Sequence, residues 1–69
     1  MDIEIIKQRL RQEIKTCNKS IKEIAELLEV SPEMVTQYCT TKKLPRLDTF
    51  AKLCEILDVS ADYILGIQK

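Results

Sequence analysis

Glu33, Thr36, Gln37 and Thr40 recur at intervals of three and four residues, the spacing that puts side chains on one stripe of a helix. Their types suit hydrogen bonding to base edges. A Gln amide pairs bidentately with adenine N6 and N7, a Thr offers a hydroxyl or a methyl, and a Glu carboxylate accepts from cytosine N4. Each has a plainer reading beside it. Gln37 and Thr36 also fit ordinary solvated surface, and Glu33 sits where a carboxylate favours the positive end of a helix without any nucleic acid. Lys42, Lys43 and Arg46 follow in a basic connector. They are the strongest candidates for phosphate contacts, although any solvated loop can carry such a run.

Other chemistry is poorly provided for. There is no His, and Cys17, Cys39 and Cys54 are widely spaced with no CxxC, so no metal site is expected. No Cys has a recognisable base, and a single Gly leaves no phosphate-cradling loop, which argues against an enzyme and against a cofactor. The cysteines read as small buried apolar residues in a reducing compartment. Asp2, Glu4, Lys7 and Arg9 interrupt any signal-peptide core, and no apolar run nears the roughly 20 residues of a bilayer span. A cytoplasmic location with no membrane partner is the expectation.

The elements that must position the polar stripe follow from periodicity. With 69 residues, 45% hydrophobic and 32% charged, the chain reads as one domain, 1–69, whose small core needs well-formed helices or a partner subunit. Ile3, Ile6, Leu10, Ile14 and Cys17 define a first amphipathic helix. Ser20 with Glu23 is a capping box that opens a second, with Ile21, Ile24, Ala25 and Leu28 on its apolar face. Ser31 followed by Pro32 caps a third, whose apolar face is Val35, Tyr38 and Cys39. Phe50, Ala51, Cys54 and Leu57 mark a fourth helix from Leu47, and Ser60 caps a short last one carrying Ala61, Ile64 and Leu65 and stopped by Gly66. The fold class is therefore all-α. The second and third helices, about residues 20–39, have the length and tight junction of a helix-turn-helix.

The runs SIKEIAELLEVSPEMVTQY and KKLPRLDTFAKLCEILDVSADYILG resemble the DNA-binding domain of the phage repressor and Cro family, the xenobiotic-response-element regulators. The most specific pieces are Ile24-Ala25 and Val30-Ser31 across the turn, the Pro45 and Leu47 junction, and Val59 to Gly66. The resemblance covers about residues 6–66 and implies a compact five-helix, lambda-repressor-like bundle whose third helix enters the major groove of an operator in double-stranded DNA. By position it puts base reading on Pro32, Glu33, Thr36 and Gln37. It puts phosphate contacts near Ser20, Lys22, Thr40, Lys42, Lys43 and Arg46.

Three departures stand out. Ile21 replaces a polar residue and reads as core. Glu29 replaces the turn Gly, although a left-handed backbone disfavours any side chain by about 1–2 kcal/mol. The family's ion pair between the first helix and the end of the third becomes Ile14 and Cys39, apolar together, and a pair replaced whole is compatible with stability.

Net charge is zero, from 11 bases and 11 acids, but unevenly placed. Residues 7–22 carry six bases against Glu13, net +5, and residues 42–52 carry four against Asp48, net +3. Between them residues 23–37 hold Glu23, Glu26, Glu29 and Glu33 with no base. Basic flanks favour a sequence-specific regulator, acting as a weak homodimer through Tyr63, Ile64 and Ile67, with no effector domain after Lys69. The acidic middle keeps open an interaction module of the antirepressor or antitoxin kind with a protein partner.

Overall fold

The computed structural model describes residues 2–67; Met1, Gln68 and Lys69, at the ends of the expected 1–69 domain, lie outside the described residues. Five helices follow one another: α1 (Ile3–Thr16), α2 (Ile21–Leu28), α3 (Pro32–Thr40), α4 (Leu47–Leu57) and α5 (Ala61–Leu65), with no strand among the described residues. The all-α, five-helix expectation holds.

Local chemistry sets the helix starts. The Ser20 hydroxyl accepts from the Glu23 amide at 3.1 Å and the Glu23 carboxylate accepts from the Ser20 amide at 3.1 Å, the reciprocal capping box. Ser31 accepts from Met34 at 3.2 Å with Pro32 in the first turn, and Ser60 accepts from Tyr63 at 3.3 Å. The ends of α2, α4 and α5 share one device. Glu29 (φ 61°), Asp58 (φ 55°) and Gly66 (φ 75°) are left-handed. The next amide in each case reaches back to the carbonyl five residues earlier, Val30 to Ala25, Val59 to Cys54 and Ile67 to Asp62, each at 3.0 Å. Val30 and Val59 also pack on the core, anchoring the two turns where a side chain is held at positive φ.

Each helix supplies one residue to the centre: Leu10, Ile24, Val35, Leu53 and Ile64 are all fully buried. At about 1.5–3 kcal/mol for each large apolar side chain, this shared centre is what holds helices too short to stand alone. Three expectations are corrected by it. Leu53, not Ala51, completes the α4 face with Phe50, Cys54 and Leu57, because a residue one step from Phe50 turns about 100° away and Ala51 is exposed. Ile3 is exposed at the open start of α1. Ile64, expected at a dimer interface, is at 0% exposure in this chain's own core, whereas Tyr63 and Ile67 are exposed. Ile14 and Cys39 are both buried in the core cluster, as their joint apolar character requires. No described helix is long and apolar enough to cross a membrane.

Candidate nucleic-acid interface

Helix α3 follows α2 across the Glu29–Ser31 turn and packs on both α2 and α1, with Val35, Tyr38 and Cys39 turned inward. That packing leaves the opposite stripe of Pro32, Glu33, Thr36, Gln37 and Thr40 exposed along the whole helix. The two threonines are tied to their own backbone. Thr36 donates to the Pro32 carbonyl at 3.2 Å and Thr40 to the Thr36 carbonyl at 3.0 Å, so what they present outward is a methyl and oxygen lone pairs. Gln37 has no side-chain partner among the described residues and its amide is free to bond. Glu33 lies in the first turn, where the helix dipole favours it.

The phosphate candidates divide. Lys22, Lys42 and Lys43 are exposed. The Ser20 hydroxyl is occupied as an acceptor but keeps its hydrogen to donate. Arg46 is exposed, and its Nε lies 3.8 Å from an equally exposed Asp48 carboxylate, a weak pair that offsets part of its charge. Thr41 fixes the start of the connector: its hydroxyl donates to the Gln37 carbonyl at 2.8 Å and accepts from the Lys43 amide at 3.1 Å.

The first basic segment behaves differently from the sequence reading, which treated it as free surface charge. Lys7 Nζ donates to the main-chain carbonyls of Tyr38 and of Lys43, the latter at 2.7 Å. Arg9 donates to the Tyr63 carbonyl at 2.6 Å and lies over the Tyr63 ring, 4.7 Å from its centroid. Lys19 donates to the Ile56 carbonyl at 3.4 Å. Three of the six bases are thus spent inside the fold, on partners 31 to 54 residues away. Spacing along the sequence carries no signal of such contacts.

Beside the end of α3, burial pushes the Lys7 ammonium below its ordinary pKa, with the Cys39 thiol acting against this and Arg11 with it. Burial pushes the Cys39 thiol up, while Lys7, Lys15 and Arg11 pull it down. Among the described residues no group of three His, Cys, Asp or Glu side chains is placed to hold a metal ion.

Residues 10–64 match the helix-turn-helix family model. A curated relative, the "Uncharacterized HTH-type transcriptional regulator YobD" of Bacillus subtilis (strain 168), is 37% identical over 60 residues, covering 87% of this chain and 54% of the relative. The chain spans about half the length of that relative. No solved structure matches. The family match begins at the buried Leu10 of α1 and closes at the buried Ile64 of α5, so it takes in the helix pair together with the core that holds it. The chain belongs to the helix-turn-helix family, in its xenobiotic-response-element branch.

Proposed function

We propose that the chain is the DNA-binding domain of a transcriptional regulator, not an enzyme, and that α3 enters the major groove of a specific operator. Residues 1–69 fold as one such domain. Gln37, with Thr36, reads bases directly, and Pro32 and Glu33 lie at the groove end of the same stripe. Lys42, Lys43, Arg46, Lys22 and Ser20 bind phosphates on either side, and Thr40 joins them when its hydroxyl turns from the Thr36 carbonyl. The observation that carries this reading is the unobstructed polar stripe of α3, with two exposed lysines directly after its last turn.

One unit reads only a few base pairs, so operator recognition calls for a second copy. Tyr63 and Ile67, both exposed, are its contacts. Such a dimer is weak, because two apolar side chains bury little area. A pure monomer in sedimentation at high concentration, free and with DNA, removes it.

The alternative of an interaction module is favoured by two observations: half of the first basic segment is used internally, and Leu27 stands 51% exposed on α2 among Glu23, Glu26 and Glu29. Binding to pooled random duplexes, titrated with salt and followed by selection, separates the two. The regulator reading expects binding at low salt and an enriched sequence at least about 10³-fold tighter than the pool. No binding to any duplex at low salt contradicts it and favours the protein partner.

A further inference from the structure

We infer that Lys7 is a positioning residue for the DNA interface, a clamp from α1 that fixes the end of α3 and the lysine-bearing connector in one geometry. The inference rests on the regulator reading above.

The last turn of any helix leaves carbonyls without intrahelical donors. In α3 the Gln37 carbonyl is satisfied by Thr41, through both its amide at 3.0 Å and its hydroxyl. The Tyr38 carbonyl takes its donor from α1, the Lys7 ammonium. Helix α3 has no base in its own last turn, so Lys7 is also the cation that its negative end lacks. The same nitrogen donates to the Lys43 carbonyl at 2.7 Å, and an ammonium has the donors for both.

The peptide of Lys43 is thereby held from two sides, its amide by Thr41 Oγ and its carbonyl by Lys7 Nζ. The side chains of Lys42 and Lys43 stay exposed on a backbone already ordered. Ordering that backbone in advance removes part of the entropic loss of binding a phosphate there. Ile14 and Cys39 join α1 to the end of α3 through the apolar core, and Lys7 supplies a polar tie between the same two helices. Burial lowers the ammonium's pKa and so opposes its charged form, and two charge-assisted bonds to carbonyls offset that loss of hydration.

The experiment measures binding of the full chain to a random-sequence duplex at low salt, with Lys7→Met introduced alone and into Lys42→Ala/Lys43→Ala, alongside Lys7→Arg. Carbonyl chemical shifts of Tyr38 and Lys43 are recorded for each. A clamp predicts that Lys7→Met moves both carbonyl shifts and weakens binding about tenfold, that Lys7→Arg recovers most of the loss, and that Lys7→Met has little further effect once both lysines are gone. Additive losses in the triple variant make Lys7 a direct phosphate contact and overturn the positioning role, as does unchanged binding by Lys7→Met. Unmoved carbonyl shifts overturn the clamp itself. If the unmodified chain binds no duplex, the regulator reading fails and the positioning role with it, while shifts that move in Lys7→Met still identify the tie between α1 and α3.

Discussion

The two basic segments each have half of their bases engaged and differ in what engages them: main-chain carbonyls in the first, exposed carboxylates in the second. Residues 7–22 are net +5 and residues 42–52 net +3; in the first, Lys7, Arg9 and Lys19 donate to main-chain carbonyls of other elements while Arg11, Lys15 and Lys22 stand exposed, and in the second, Arg46 and Lys52 pair with the exposed Asp48 and Glu29 while Lys42 and Lys43 stand exposed. Segment 7–22 lies mostly on α1, which packs on α3 and α5, so its long side chains reach carbonyls of neighbouring elements. Among the described residues no base of the second segment donates to a main-chain carbonyl. Charge counted along the chain is therefore a poor guide to charge offered to a polyanion; what matters is how many donors the fold leaves unused.

The largest expected effect comes from adding a base to the first segment where no carbonyl awaits it. Ile14 is 2% exposed, and Ile14→Arg destabilises by about 3–5 kcal/mol, with Cys39→Glu alone similarly harmful. The double substitution recovers much of the loss, because the two sites are buried in one cluster. Denaturant midpoints for the four-member cycle check this, and simple additivity means the two side chains do not meet. Removing Lys42 and Lys43 together lowers the salt slope of duplex binding by about two units while leaving the unfolding midpoint in place.

Arg9→Met does the reverse: stability falls by about 1–2 kcal/mol, from the lost carbonyl bond and ring contact, and the salt slope is unchanged. A slope flattened equally by Arg9→Met abolishes the distinction between the segments.

The fold was legible to the extent that local chemistry decides it. Capping serines, the Pro32 start and the Gly66 stop are read within a few residues, and the apolar faces of α2 and α3 follow from the helical period. On the α4 face the sequence does not separate Ala51 from Leu53, because both are apolar and only packing selects between them. Ile64 was assigned outward because its helix carries more apolar groups than one face needs, and burial, not sequence, says which one the core takes. In the candidate site, the α3 stripe was legible and the uses of Lys7, Arg9 and Lys19 were not, since their partners come together only in the folded chain.

The left-handed Glu29 was an open question in the sequence, and its φ of 61° answers it. Glu29→Gly raises stability by up to about 1 kcal/mol, less the small contribution of the exposed Lys52 pair at 3.6 Å. A lower denaturant midpoint contradicts this.

The smallest effect is a pH dependence. Burial raises Cys39 and Cys54 above the ordinary 9.0 and Tyr38 above 10.0, so each favours the fold below those values and loses that contribution as pH rises through its folded pKa. Lys7, lowered from 10.5, works the other way: the fold gains as pH rises from its folded pKa toward 10.5. The two thiols therefore lose their contribution above about pH 9, and Cys39→Ala with Cys54→Ala makes the alkaline slope of the urea midpoint less negative relative to pH 7. An unaltered alkaline slope in the double variant contradicts it.

The most direct test of a stripe that reads and a connector that holds is to compare Gln37→Ala with Lys43→Ala on an enriched duplex and on the random pool across a salt series. Gln37→Ala should lose about 1–3 kcal/mol on the enriched site and little on the pool, while Lys43→Ala weakens both alike and flattens the salt slope by about one unit. If the two variants behave identically, or neither alters binding at low salt, α3 and its connector do not form the DNA interface.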